Sequence, residues 1–170
     1  HNFGDYDWYV GDKESTGVAA ADNDDSFAVF SAGQPGGKAG MITGKIAVPS
    51  DGAPVLTFRT FPLKNDRLGT NANTIEVLIF DGKEWTTART VAMSSLPNPE
   101  EWNKVSIALS EYRGKSIQVE FIGCCMSYPA VLLDRIEILA DVASDIAITD
   151  LRAPELARMN RPFDIDVDIL

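Results

Sequence analysis

The sequence predicts an all-β protein: an antiparallel jelly-roll β-sandwich, followed by a two-strand fragment of a second β-sandwich. Three observations support this fold class. Apolar and polar residues alternate along most segments, as in strands with one buried face. Turn-forming residues separate these segments at short intervals. Helical periodicity is scarce, and the best helical candidate, residues 141–144, is too short to form a separate element.

The strand pattern appears in six segments: residues 27–30, 45–48, 55–61, 74–81, 105–109 and 117–121. A tight hairpin is predicted at Asp81-Gly82, because this turn-forming pair lies between the alternating residues 75–80 and Trp85. One face of the later strands should form the core, which we expect to contain Val105, Ile107, Leu109, Ile117, Val119, Phe121, Ile136 and Ile138.

The composition changes after Leu139. Residues 140–144 form a joint of small residues, a new alternation begins at Asp145, and the chain ends on the alternating segment 163–169. We therefore predict a jelly-roll domain at residues 1–141. Residues 142–170 are interpreted as a linker and the first two strands of a domain that the sequence cuts short.

Charge and residue content disfavour several functions. The chain has 15 basic and 25 acidic residues, a net charge of -10, which repels nucleic acid and anionic lipid. No apolar run approaches the roughly 20 residues of a membrane-spanning helix. The single histidine, His1, provides no internal base for a serine or cysteine nucleophile, so we predict no enzyme. A two-carboxylate glycosidase pair is the open alternative.

An acidic loop suggests calcium. Residues 21–26 concentrate hard oxygen ligands, with Asp22, Asp24 and Asp25 as candidates. Asp134 is a fourth candidate, because it shares its strand parity with Leu132, Ile136 and Ile138 and would face the core with them. Two alternatives stay open: the loop is a solvated acidic turn, or a β-bulge turns Asp134 outward. We expect one structural calcium that pins this loop to the last strand of the jelly roll.

Trp8 and Trp85 are the candidate ligand-binding residues. A flat aromatic ring can cover the apolar face of a sugar, and both tryptophans lie outside the clearest strand cores. The other reading is structural, since Trp102 and Tyr112 stand at strand ends where aromatic rings close the edges of sandwiches. Cys124 and Cys125 are read as two small side chains near a strand end, with a strained disulfide or a redox switch as the alternative.

Two segments carry a family resemblance. Residues 101–121, EWNKVSIALSEYRGKSIQVEF, and residues 131–138, VLLDRIEI, resemble the W-x-x-V-x-[VI]-x-L-S-x-Y-x-G-K-x-[IV]-x-[IV]-x-F and L-D-x-I-x-[IV] motifs of cleaved-adhesin domains, which are related to MAM-like domains. The resemblance covers roughly residues 3–139. One departure is Arg135, which stands where the family usually has a second acidic residue after Asp134.

The resemblance implies a jelly roll in a secreted or cell-surface protein of the Bacteroidetes type, with residues after 145 similar to the start of an immunoglobulin-like module. It implies a non-catalytic adhesion or binding module whose partner is a glycan or an extracellular protein. The alternative is a purely architectural spacer that contacts neighbouring domains of a larger polypeptide.

Overall fold

The protein is a β-sandwich of two five-stranded antiparallel sheets, joined in sequence to a separate pair of strands. The computed structural model describes residues 6–21, 25–32, 36–63, 71–126, 130–141, 148–152 and 166–169. Its strands are β1 (Tyr6–Gly11), β2 (Phe27–Ala32), β3 (Lys38–Ile42), β4 (Ile46–Ala47), β5 (Ala53–Pro62), β6 (Thr74–Phe80), β7 (Trp85–Ala92), β8 (Asn103–Ala108), β9 (Ser116–Cys124), β10 (Val131–Asp141), β11 (Ile148–Arg152) and β12 (Asp166–Ile169).

The first sheet has the strand order β1-β2-β10-β5-β8, and the second has the order β3-β9-β6-β7 with β4 also paired to β9. Neighbours that are distant in sequence, such as β2 and β10, give the crossed connections of a jelly roll. Strands β11 and β12 pair only with each other in the described part of the chain. This confirms the predicted fold class. The boundary near residue 142 stays a prediction, because residues 142–147 lie outside the described residues.

The core lies between the two sheets. The predicted residues Val105, Ile107, Leu109, Ile117, Val119 and Phe121 are buried there, and Ile136 and Ile138 pack against them half-buried. Phe58 of the first sheet meets Phe121 of the second edge to face, with ring centroids 5.3 Å apart. Edge-to-face contact suits the charge distribution of aromatic rings, so this pair holds the two layers together with geometric preference as well as buried area.

The predicted hairpin at Asp81-Gly82 is present between β6 and β7. Gly82 has a φ of 97°, which a residue without a Cβ adopts at little cost. The Asp81 carboxylate accepts hydrogen bonds from the backbone N–H groups of Lys83 and Glu84, at 3.0 and 3.2 Å. These bonds hold the pKa of Asp81 below its usual value.

A short helix at Lys13–Thr16, α1, was not predicted from the sequence. Asp12 caps it by accepting from the Ser15 N–H at 2.8 Å, and Gly17 ends it with a φ of 78°. These are the ordinary start and stop signals of a helix. Because the helix has a single turn, the sequence contains no 3.6-residue periodicity that could reveal it.

β10 contains a β-bulge between Asp134 and Glu137, where two of its residues lie opposite one residue of β5. Leu132 and Asp134 therefore face the outside of the first sheet, while Ile136 and Ile138 face the core. The expectation that Asp134 shares the core-facing side with Ile136 is wrong, because one extra residue reverses the alternation. The bulge named as the alternative is the arrangement observed.

The contact between Gly123 of β9 and Phe30 of β2 allows a test of how closely the two sheets pack. A Cβ at Gly123 would overlap the ring of Phe30, whereas a Cβ at Gly44 would meet nothing. We expect Gly123→Ala to destabilise the fold by about 1–3 kcal/mol through overpacking. The control Gly44→Ala should change stability by less than about 0.5 kcal/mol.

Urea unfolding of Gly123→Ala, Gly44→Ala, Phe30→Leu and the double variant Gly123→Ala/Phe30→Leu measures the effect. The smaller side chain at position 30 should absorb part of the alanine, so the double variant should lose less than the sum of the singles. Equal losses for the two glycine variants would contradict this packing.

Candidate functional site

Trp8 has a structural position. Its Nε1–H donates to the carbonyl of Ala39 in β3 at 2.9 Å, and its half-buried ring lies 5.6 Å from the ring of Phe30. The donor and much of the ring face are used to join β1 of the first sheet to β3 of the second. This geometry does not support the prediction that Trp8 contacts a ligand.

Trp102 is also structural. Its ring packs edge-on against Phe27 and Phe61, with centroids 5.5 and 5.6 Å apart, and its Nε1–H donates to the Ala19 carbonyl at 2.8 Å. These contacts hold residues 18–21 over a second apolar cluster on the outer face of the first sheet, which contains Phe27, Val29 and Leu132. The chain after α1 thus covers part of that face.

Trp85 is available to a ligand. It is 40% exposed, and its ring packs in a tilted arrangement against Phe80 of the neighbouring strand, with centroids 5.2 Å apart and an angle of 34° between the planes. Phe80 in turn lies directly opposite Gln118 of β9. These three side chains form a row across β7, β6 and β9 on the outer face of the second sheet, which we call the aromatic row.

A cavity of about 300 Å³ adjoins the aromatic row. It is lined by Lys45, Phe80, Gly82, Ser116, Ile117 and Gln118. The Gln118 side chain donates to the Thr43 carbonyl at 3.2 Å, which fixes the position of its amide group. The Phe80 ring lies between the exposed Trp85 and this fixed amide. The aromatic row and its cavity thus combine apolar area with directional polar groups, as small-ligand sites commonly do.

The apolar surface continues into the next row of the same sheet face. Leu78 of β6 lies opposite Thr87 on one side and Glu120 on the other, and Glu120 lies opposite Ile42 of β3. Ile42 is 47% exposed and Leu78 is half-buried. The outer face of the second sheet therefore offers an open, partly apolar surface longer than one ring.

A thiol, a carboxylate and an amine meet at the far end of this face. Glu76 Oε1 lies 3.6 Å from Cys124 Sγ and 3.2 Å from Lys38 Nζ. Burial raises the pKa of the Cys124 thiol, and the hydrogen bond to Glu76 raises the pKa of Lys38. A thiol that holds its proton more firmly is a poorer nucleophile at neutral pH, so this group does not form an activated cysteine.

The Asp134 carboxylate joins the acidic loop to β10. Its Oδ2 accepts from the Ala21 N–H and its Oδ1 from the Arg135 N–H, both at 2.8 Å. Asp22 and Asp24 lie outside the described residues, and Asp25 is exposed. Within the described residues no three acidic, cysteine or histidine side chains converge on one point. In the sequence, the candidate ligands Asp22, Asp24 and Asp25 follow Ala21, whose N–H group Asp134 contacts. Calcium binding at this loop stays a prediction.

Similarity to solved structures shows the fold of the chain, whereas the sequence comparisons found no match. No protein-family model matches the chain, and no curated protein sequence matches it. The K1 cleaved adhesin domain of Lys-gingipain from Porphyromonas gingivalis W83 has a TM-score of 0.59 at 16% identity, over 79% of this chain and 83% of that domain. The K3 domain of the same protein has a TM-score of 0.50 at 14% identity, over 78% and 90%.

A structure described among the promiscuous carbohydrate-binding modules of the β-sandwich superfamily is also similar. Its TM-score is 0.51 at 17% identity, over 79% of this chain and 54% of that one. The chain thus has the jelly-roll fold of cleaved-adhesin and carbohydrate-binding modules, as the sequence resemblance predicted. In the described part of the chain, no helix is long and apolar enough to cross a membrane.

The two cysteines should resist alkylation in the folded protein. Cys124 and Cys125 are buried thiols at 5% and 3% exposure. We expect iodoacetamide at pH 8 to leave both unmodified in the native protein and to modify both in guanidinium chloride, as read by mass spectrometry. Because the pKa of Cys124 is raised, its residual labelling should increase as pH rises. Rapid native labelling at pH 7 would contradict this burial.

Asp134 should support the fold through its two backbone hydrogen bonds. Asp134→Ala leaves two N–H groups without this acceptor, and we expect a loss of about 1–3 kcal/mol in urea unfolding. Asp25→Ala, at an exposed position of the same loop, is the matched control.

The same two variants test calcium, and here Asp25→Ala is not a control because Asp25 is itself a candidate ligand. If the loop binds calcium, excess ion should raise the wild-type melting temperature by mass action, with a smaller rise in both variants. An unchanged melting temperature with added calcium and with chelator, for protein shown to be metal-free at the start, would exclude the ion.

Proposed function

We propose that this chain is a non-catalytic extracellular binding module that takes a glycan on the outer face of its second sheet. The observation that carries the proposal is the aromatic row. Trp85 exposes 40% of its surface while the Phe80 ring packs beside it, so the Trp85 ring is held in place before a ligand arrives. A ring already held in place costs little ordering entropy on binding.

The polar surroundings of Trp85 suit a sugar. The amide of Gln118 and the ammonium of Lys45 border the cavity beside Phe80 and can hydrogen-bond to hydroxyl groups. Leu78 and Ile42 extend the apolar area in the direction of β3, which supports an oligosaccharide over a single sugar. The net charge of -10 favours a neutral glycan over a sulfated one.

The similar structures support a binding module as the general class of function. Two are adhesin domains and one is described as a carbohydrate-binding module. The sequence supports the absence of catalysis, since its single histidine is His1. Placement outside the cell belongs to the same proposal.

A glycan array with the purified chain, with and without calcium, tests the proposal. Binding to a neutral oligosaccharide is expected, and Trp85→Ala should weaken it about tenfold or more, because the ring supplies most of the stacking area. Tyr9→Ala is the matched control, since Tyr9 is 47% exposed on β1 of the other sheet. Titration calorimetry with the best array hit measures both variants.

Equal losses in the Trp85 and Tyr9 variants would contradict the aromatic row as the site. A blank array would contradict glycan binding and favour the architectural alternative, in which the module spaces other domains.

A further inference from the structure

A polar groove crosses the outer face of the first sheet, on the side that residues 18–21 leave open. It consists of two adjoining cavities of about 170 and 520 Å³ over β10, β5 and β8. Thr57 and Lys104 line both cavities, so the two lie side by side, and we refer to them together as the groove. Together the cavities have the size of an ordinary small-ligand or peptide site.

One end of this groove is basic in a strongly acidic chain. Arg59, Lys104 and Arg135 line it, with Glu137 as the acidic member. Arg59 and Lys104 lie directly opposite each other on β5 and β8, where like charges destabilise a sheet. Arg135 is paired with Glu137 at 3.2 Å, whereas Arg59 and Lys104 form no ion pair within the described part of the chain.

The Asp134 carboxylate lies opposite Arg59 on β10 but forms no ion pair with it. Its two oxygens accept from the Ala21 and Arg135 N–H groups, which fix the carboxylate and leave its charge in place. Among the described residues, three cations, Arg59, Lys104 and Arg135, thus stand against two carboxylates, Asp134 and Glu137, so one cation is in excess at this end of the groove. An anionic ligand would balance it.

Backbone strain occurs at the same place. Arg135 has a φ of 49°, and among the described residues no other residue besides glycine has a positive φ. Such strain persists where the surroundings hold it, and it concentrates at functional sites. Here the bulge and the hydrogen bond from the Arg135 N–H to the Asp134 carboxylate hold the strained backbone. Arg135 thereby lines the groove as its third cation.

The other end of the groove is less polar, and none of the described residues that line it is aromatic. Val55, Leu139 and Ala140 line it together with Ser106, and Leu139 is 43% exposed. The Phe58 ring is fully buried in the core and cannot stack on a ligand from this side. A sugar would lack a stacking partner, while an aliphatic side chain of a peptide would find apolar contacts.

We propose that this groove binds an extended acidic peptide segment of a partner protein. A carboxylate of the peptide is held by Arg59 and Lys104, with Arg135 beside them, and a neighbouring aliphatic side chain lies against Val55 and Leu139. This site is on the opposite face from the aromatic row and does not depend on glycan binding.

Fluorescence anisotropy with a labelled peptide, Gly-Leu-Asp-Glu-Ile-Gly, tests the groove in the full chain. The amide counterpart, Gly-Leu-Asn-Gln-Ile-Gly, should bind at least tenfold more weakly, because it lacks the charge. Binding of the acidic peptide should weaken as salt is raised from 50 to 300 mM, because salt screens the attraction between its carboxylates and the cations of the groove.

The variants locate the site. Lys104→Gln and Arg59→Gln should each weaken the acidic peptide by about tenfold, while Lys13→Gln, which removes one exposed charge from α1, should leave it unchanged. Trp85→Ala should also leave it unchanged. Circular dichroism and thermal melts confirm folding, and the exposed Lys104 provides the decisive variant if Arg59→Gln does not fold.

Four results would overturn the proposal, three of them with the peptides and the protein variants. Those three are equal binding of the acidic and amide peptides, no binding of either, or an unchanged affinity in Lys104→Gln. Tighter binding of an oligogalacturonate than of the peptide would also overturn it, because the groove would then be an acidic-glycan site.

Discussion

The extra residue in β10 between Asp134 and Glu137 sets the arrangement of the rest of the sandwich. It allows Val131 and Leu133 before the bulge, and Ile136 and Ile138 after it, to face the same core although their parities differ. The bulge also leaves Asp134 on the outer face, where its carboxylate holds the backbone of Ala21. One local insertion therefore links core packing, the anchoring of the N-terminal segment and the exposure of Arg135.

The two outer faces of the sandwich have different physical characters. The first sheet is partly covered by residues 18–21, which Trp102 and Asp134 hold in place, and its open part is a cationic groove. The second sheet is uncovered in the described part of the chain and presents an exposed tryptophan beside aliphatic side chains. A fold that buries one face of each sheet leaves two independent surfaces, so one small module can serve two different ligands.

Strand alternation identified the core well because β8 and β9 each bury one face and leave the other exposed or half-buried. Val105 and Ile107 in β8 and Ile117, Val119 and Phe121 in β9 all lie where period-2 patterning predicts. β7 carries no such pattern, since its residues 85–90 are all exposed, and α1 has a single turn. Elements that bury no face leave no periodic signal in the sequence.

The candidate ligand residues show the same limit. Trp8 and Trp85 could not be distinguished from the sequence, because both are tryptophans near strands and neither has a periodic neighbourhood. Pairing with Phe30 and Ala39 gives Trp8 its internal contacts, and pairing with Phe80 at the edge of the second sheet leaves Trp85 exposed. The basic groove was not predicted at all: Arg59, Lys104 and Arg135 are far apart in the sequence, and only strand pairing brings them together.

The sequence by itself therefore determined the all-β class, the buried faces of the regular strands and the hairpin at Asp81-Gly82, because alternation and turn chemistry are local properties. The tertiary structure alone decided which way Asp134 points, which tryptophan is exposed and where cations gather. Each of these depends on pairing register between strands that are distant in the chain, and a shift of one residue reverses the direction of a side chain.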